Sequence, residues 1–238
     1  SGERKIFMKK ALIELKGISK NFAGVKALQD VDLTIYEGET RCLAGENGCG
    51  KSTLIKIIAG VYVPNGGTIV VDGKEYSKLT TQQAIDAGIQ IIYQDFAIFP
   101  NLTVAENIAM TSEKYEKKKL VDWKSIRSKT EKIMSRVGID IDMDARLGDL
   151  SVADKQLVAI CRALLWDARL LIMDEPTTAL TKKEVVSLFK IVRDLQKKGI
   201  SILFVSHKLE EVFEIADELT IIRNGRKVID GSMKDFDN

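Results

Sequence analysis

Apolar and polar residues alternate along two early stretches, Ala11 to Ile18 and Ala27 to Ile35, the second with Val31, Leu33 and Ile35 on one face. A period of two predicts half-exposed antiparallel strands. Thr40-Arg41-Cys42-Leu43-Ala44 then reads as a short buried strand, and Leu54, Ile57 and Ile58 recur at helical spacing after a glycine-rich break. Pro64-Asn65-Gly66-Gly67 marks a turn, Ile69 to Gly73 a strand, Thr80 to Ala87 a short helix ending at Gly88, and Ile89 to Tyr93 another strand. From about Gln94 to Leu165 strand signals mostly vanish; Trp123, Ile126, Ile133 and Val137 share a helix face with Asp122 as N-cap. Strands return at Leu170 to Met173 and Ile200 to Val205. Between them a helix bears Val185, Leu188, Phe189, Val192 and Leu195 and ends at Gly199. This alternation predicts a mainly parallel sheet. Leu219 to Arg223 and Arg226 to Ile229 flank Asn224-Gly225, a two-residue hairpin signal.

The break after Ala44 is itself chemistry. Gly45-Glu46-Asn47-Gly48-Cys49-Gly50-Lys51-Ser52-Thr53 has the form G-x-x-x-x-G-K-[ST], lying between a predicted strand and a predicted helix. Glycines let backbone N–H groups approach phosphate oxygens and permit positive φ, so side chains at Gly48 and Gly50 are expected to obstruct that approach. Lys51 is expected to reach the β and γ phosphates, Ser52 to ligate Mg²⁺, and the helix N-terminus to add positive charge. Cys49 sits beside Lys51 at that N-terminus, a setting that favours its thiolate, with Mg-ATP expected to shield it. Further on, Leu170-Leu171-Ile172-Met173 ends in Asp174-Glu175 before Pro176. Asp174 is placed to hold the Mg²⁺ shell and Glu175 to polarise an attacking water. His207, the single histidine, follows the strand Ile200 to Val205 at its C-terminal edge, where ligands gather in open α/β sheets, and a γ-phosphate contact is expected.

Composition narrows the class. The 238 residues suit one large α/β domain or a core with a smaller insertion, and 36 basic against 34 acidic residues give no electrostatic case for nucleic acid. Lys114 to Lys119 includes Glu116 and reads as a solvated face. No apolar run approaches the roughly 20 residues needed to span a bilayer and no signal peptide is evident, so the cytosol is expected. Cys42, Cys49 and Cys161 lack metal-ligand spacing and read as reduced thiols. Ser1-Gly2 stands where an initiator Met is expected; residues before about Lys10 read as a processing scar, with Met8 a candidate start.

The order of motifs resembles the nucleotide-binding domain of ABC transporter ATPases over nearly the whole chain. That resemblance implies a RecA-like P-loop core with an antiparallel β subdomain (11–94 and 166–238) and an inserted helical signature subdomain (95–165). Gln94 in Ile91-Ile92-Tyr93-Gln94-Asp95 resembles the Q-loop glutamine that touches Mg²⁺ or water, and Phe22 sits where an aromatic ring stacks on adenine. Glu175 matches the catalytic glutamate, Thr178-Ala179-Leu180-Thr181 the D-loop and His207 the switch histidine. Leu150-Ser151 opens a signature that continues Val152-Ala153-Asp154 where the family usually has Gly-Gly-Gln, and Thr181 stands in place of the D-loop acid. Side chains and a carboxylate at that helix start set its phosphate contact against the family pattern. These departures, together with Gly45-Glu46-Asn47-Gly48 and Ser206-His207-Lys208-Leu209-Glu210-Glu211, resemble the N-terminal half of the fused double ATPases of monosaccharide importers.

The resemblance implies ATP and Mg²⁺ as cofactors, a second ABC ATPase domain as head-to-tail partner, transmembrane permease subunits, and a sugar-binding protein reached indirectly. It implies a cytoplasmic chain, peripheral on the inner face of the cell membrane. Other classes explain less. A small GTPase or phosphate-loop kinase shares the loop, but no Asn-Lys-x-Asp motif appears and Leu150-Ser151 and His207 go unused. A non-transport ABC ATPase and a nucleotide-sensing module with little turnover of its own remain as alternatives.

Overall fold

The computed structural model describes residues 10–94, 98–109 and 122–236; Met8, Asp95 and the Lys114 to Lys119 stretch lie outside them. Two sheets stack around the first core. The antiparallel one runs β2-β1-β4-β5, from β1 (Ala11–Phe22), β2 (Val25–Tyr36), β4 (Gly66–Val71) and β5 (Lys74–Tyr76). The second, in the order β10-β9-β3-β8-β7-β6, comprises β3 (Thr40–Ala44), β6 (Ile89–Ile92), β7 (Leu170–Asp174), β8 (Ser201–Ser206), β9 (Glu218–Arg223) and β10 (Arg226–Ser232). Its pairs are parallel except the β9–β10 hairpin. This mixed α/β architecture is the RecA-like P-loop class that the sequence pointed to.

Parallel strands covered on both faces read as continuous apolar runs. In β7 and β8, Leu170, Ile172, Leu203 and Val205 enter the core under the antiparallel sheet, together with Leu54 and Ile55 of α1 (Lys51–Ile58). Leu171, Met173, Ile202 and Phe204 face the other way, onto helices. There the T-shaped pair Phe189–Phe204 has ring centroids 5.6 Å apart. Each such fully buried side chain contributes roughly 1.5–3 kcal/mol over an exposed one. Arg41 stays in the wholly buried strand β3 because Glu39 and Asp230 accept from its guanidinium at 2.9 and 2.7 Å, and Thr220 at 2.9 Å.

The helices are α1, α2 (Thr81–Asp86), α3 (Val104–Ala109), α4 (Trp123–Val137), α5 (Val152–Leu165), α6 (Lys182–Lys197) and α7 (Leu209–Ile215) among the described residues. Val104, Ile108, Met134, Val158 and Cys161 form a separate core among α3, α4 and α5. α5 also sends Ala159, Ile160 and Ala163 into the core behind the parallel sheet, and Ile133 and Val137 of α4 pack against both, so these two helices join the two cores. No described helix is long and apolar enough to cross a membrane.

Two sequence expectations shift. Asp72-Gly73 is a hairpin turn into β5, a strand the pattern did not predict; Lys-Glu-Tyr is too short to alternate visibly. Trp123, expected on the buried face of α4, is 49% exposed, while Ile126, Thr130 and Met134 are buried. A helical side chain covers the turn N-terminal to itself, and at the first position there is none.

Candidate nucleotide site

The glycine-rich loop leaves β3 at Ala44 and enters α1 at Lys51. Its first and last glycines are fixed by the protein's own backbone. Gly45 has φ 149°, and a Cβ there would lie 2.3 Å from the Ile222 carbonyl oxygen and 2.7 Å from Cys49 Sγ. At Gly50, φ 116°, a Cβ would meet the Ala27 carbonyl oxygen at 2.6 Å. Gly48 has φ 78° and open space around it, so only its left-handed backbone requires glycine. The obstruction expected at Gly50 is therefore with β2.

Opposite the loop stands the β9–β10 turn. Gly225 N–H donates to the Cys49 carbonyl at 2.9 Å, and the Gly225 carbonyl accepts from Gln29 N–H at 2.7 Å. Gln29 Nε2 also donates to the Asn224 carbonyl at 3.1 Å, and Arg226 donates to Gln29 Oε1 at 3.0 Å. The loop is thus wedged between β2 and the hairpin turn. Asn224-Gly225 was legible as a turn, but nothing local signals its second contact.

α1 begins without a side-chain cap, so its first amides face the loop unpaired by side chains, the arrangement that attracts anions. Lys51 is 5% exposed, and its ammonium donates to the Gly45 and Glu46 carbonyls at 2.7 and 2.9 Å. Two of its three donors are held inside the loop. A cavity of about 480 Å³ opens in front, lined by Asn47, Gly48, Lys51, Ser52, Glu175 and Gly225 among others. A second, of about 380 Å³, is lined by Gly45, Glu46, Asn47 and His207 on the loop's other side.

The acids arrive on the neighbouring strand ends. Asp174 closes β7, and Glu175 follows with φ 47°, its N–H donating to the Val205 carbonyl at 3.0 Å. That left-handed residue, unusual outside glycine, turns the side chain towards the loop after β8. His207 Nδ1 lies 3.2 Å from Glu175 Oε1. Burial, and then the Glu175 charge, push the Asp174 carboxyl above its usual range, with Lys51 opposing. A carboxylate held this way would be favoured in its ionised form by a cation brought beside it.

The other expected residues lie elsewhere. Gln94 is exposed just after β6, and neither it nor Asp174 lines the larger cavity. Phe22 ends β1, paired with Val25 and edge-on to Tyr62 at 5.3 Å, outside that lining. Cys49 is 6% exposed and packs in the core beneath the loop, so the reactive thiol expected from its neighbours is corrected by burial. Ser151, Val152, Ala153 and Asp154 start α5. There the Ser151 hydroxyl donates to Asp154 Oδ2 at 2.7 Å and accepts from Asp154 N–H at 3.1 Å. Thr181 caps α6 in a reciprocal box with Glu184.

The sequence profile of the family described as ABC transporter matches residues 28–178. The chain belongs to the ABC transporter family. It is 47% identical over 94% of its length to a protein of Rhizobium johnstonii named ribose import ATP-binding protein RbsA 2, covering 44% of that protein. A Geobacillus kaustophilus protein named putative ribose/galactose/methyl galactoside import ATP-binding protein is 44% identical over 91% of the chain, covering 43% of its own length. The chain thus spans less than half of these curated relatives. Among solved structures, one described as the ADP conformation of an ATP-binding cassette of an ABC transporter superposes with a TM-score of 0.84. It is 28% identical, and the match covers 93% of this chain and 91% of that one.

Proposed function

We propose that this ABC chain binds Mg-ATP in front of residues 45–53 and hydrolyses it when a second ABC ATPase domain closes over the site head to tail. The observation that carries this reading is the convergence of Lys51, Ser52 and Glu175 on one cavity, with Glu175 paired to His207. We assign phosphate binding to the loop amides and Lys51, water activation to Glu175, and orientation of Glu175 and the γ-phosphate to His207. Phe22 is assigned to adenine. Ser52, Asp174 and Gln94 offer hydroxyl, carboxylate and amide oxygens, the hard donor set that Mg²⁺ takes, and the raised Asp174 carboxyl is one that a bound cation would hold ionised. Bound there, Mg²⁺ would offset the phosphate charge.

We read 11–94 with 166–238 as the nucleotide core and 95–165 as the signature lobe, whose Ser151, Val152, Ala153 and Asp154 face the partner's nucleotide. Given the relatives' names, the cargo is a monosaccharide, moved through permease subunits supplied by a sugar-binding protein, with the chain peripheral on the inner face of the membrane. The Ser151–Asp154 bonds commit the signature hydroxyl to the chain's own carboxylate. A pair of identical chains is therefore expected to be nearly idle, the behaviour of a nucleotide-sensing module.

The test is phosphate release by this chain alone and paired with an ABC half whose signature reads Leu-Ser-Gly-Gly. The pair is expected to turn over and Lys51→Ala in this chain to abolish nucleotide binding. Equal turnover by the chain alone at high concentration would overturn the division of labour. Wild-type affinity in Lys51→Ala would overturn the site.

A further inference from the structure

His207 meets Glu175 from a loop only two residues long between β8 and α7, and that loop is held from both sides by buried polar groups the site does not otherwise use. Ser206, 2% exposed, donates from Oγ to Glu211 Oε2 at 2.8 Å. The same Oγ accepts from Lys208 N–H at 3.1 Å, closing a turn around His207. Lys208 Nζ lies 3.0 Å from Glu211 Oε1 and 3.4 Å from Thr177 Oγ1. Thr177, itself 2% exposed, lies two residues after Glu175. A chain of contacts therefore runs Ser206–Glu211–Lys208–Thr177, starting beside His207 and ending beside Glu175.

A carboxylate this deeply buried is unfavourable unless paired and hydrogen-bonded, and Glu211 is both, being 7% exposed. Its two oxygens are divided between the residues on either side of His207. The backbone flanking the imidazole is thereby tied to α7 and, through Lys208, to the loop that bears Glu175. Glu175 is already turned by its left-handed backbone, so a small slip of either loop would separate Nδ1 from Oε1.

We propose that Glu211, acting through Ser206 and Lys208, is the positioning residue that sets the His207 imidazole against Glu175. This rests on the reading of the His207–Glu175 pair given above.

The single histidine makes the pair directly visible. In ¹⁵N-histidine-labelled chain, the Nδ1 and Nε2 shifts report which nitrogen holds the proton, and a Glu175 contact keeps it on Nδ1. Glu175→Gln is expected to move these resonances, which establishes that they report the pair. Lys208→Met and Glu211→Gln are expected to move them in the same sense and by at least half as much. Lys208→Arg, which retains charge and reach, is expected to keep the wild-type spectrum. Mg-ADP affinity should stay within about twofold of wild type in the Lys208 and Glu211 variants, because neither side chain lines the nucleotide cavity or supports the glycine-rich loop. If Glu211→Gln does not fold, the Lys208 variants decide. A wild-type spectrum in Lys208→Met, or in a folded Glu211→Gln, overturns the positioning role while leaving the pair intact. Unmoved resonances in Glu175→Gln overturn the pair itself and the role with it.

Discussion

Two glycines of this chain occupy the same kind of turn with different surroundings, and replacing each by alanine isolates what holds the phosphate loop. Gly73 and Gly225 are second residues of two-residue hairpin turns, with φ of 79° and 72°. A Cβ at Gly73 meets nothing within 4 Å; one at Gly225 would lie 2.7 Å from the Ala27 carbonyl oxygen and 3.3 Å from Leu28 Cα. Both alanines bear the left-handed cost, roughly 1–2 kcal/mol. Only Gly225→Ala adds overpacking, about 1–3 kcal/mol. It also strains the bond to Cys49, a net contribution of about 0.5–1.5 kcal/mol. Gly73→Ala is thus expected to lose about 1–2 kcal/mol in urea unfolding, and Gly225→Ala about 2.5–6.5, against a total of roughly 5–15. Because the extra loss falls on the wedge beside Cys49 and Gly50, titration with a fluorescent ATP analogue should show affinity lower by about tenfold or more in folded Gly225→Ala, worth about 1.4 kcal/mol. Affinity in Gly73→Ala should be unchanged. Equal losses of stability, or wild-type affinity in Gly225→Ala, would refute the idea that the hairpin turn braces the loop.

Glu175→Gln keeps its size while losing the base, so the paired assembly should retain Mg-ATP binding and lose turnover by about 10²-fold or more in phosphate-release assays. For Asp174, a raised folded pKa means the native state binds its proton more readily than the unfolded one. Its stability contribution is present below the ordinary value of 3.8 and is lost as pH rises through the folded value. Asp174→Asn should therefore raise the melting temperature of the nucleotide-free chain at pH 7, by an amount that shrinks towards pH 4, while abolishing the Mg²⁺ dependence of ATP binding. Cys49 and Cys42 are buried, and Cys161 is buried with its thiol pushed up to about 12. At pH 7, mass spectrometry should show no maleimide on any of them, with or without nucleotide, until urea unfolds the chain.

Features set by neighbours in sequence were legible. The glycine-rich loop, the buried β7 ending in Asp174-Glu175, and the Asn224-Gly225 turn depend on residues within a few positions, and each lies where the pattern put it. What escaped was whatever depended on distant partners. Cys49 looked activated from its neighbours Gly50 and Lys51, yet the Leu and Ile side chains that bury it come from other elements. Gly50 looked like a ligand requirement, and its tightest constraint is Ala27. Ser151 and Thr181 stand out in the sequence only against a family pattern, although each is a local N-cap bonded to the residue three positions on, Asp154 and Glu184. Lys208 and Glu211 enter the sequence reading only as part of a family resemblance, because i,i+3 charge pairs are common on exposed helices, and only burial of Ser206 and Glu211 sets this pair apart.

The position of β3 has a consequence for how the protein comes into being. The strand that launches the phosphate loop ends at residue 44, yet both its hydrogen-bonding edges are completed by β8 and β9, which begin at residues 201 and 218. Until then a five-residue buried strand has two open edges, the kind of surface that invites wrong pairing. Such long-range closure slows folding, because chain entropy is lost before the contacts that repay it can form. The phosphate loop is therefore set only when residues 201–223 fold back onto β3. Capture on an immobilised ATP analogue would then select molecules in which β8 and β9 have paired with β3 over those truncated before residue 201, making the site a reporter of that long-range closure.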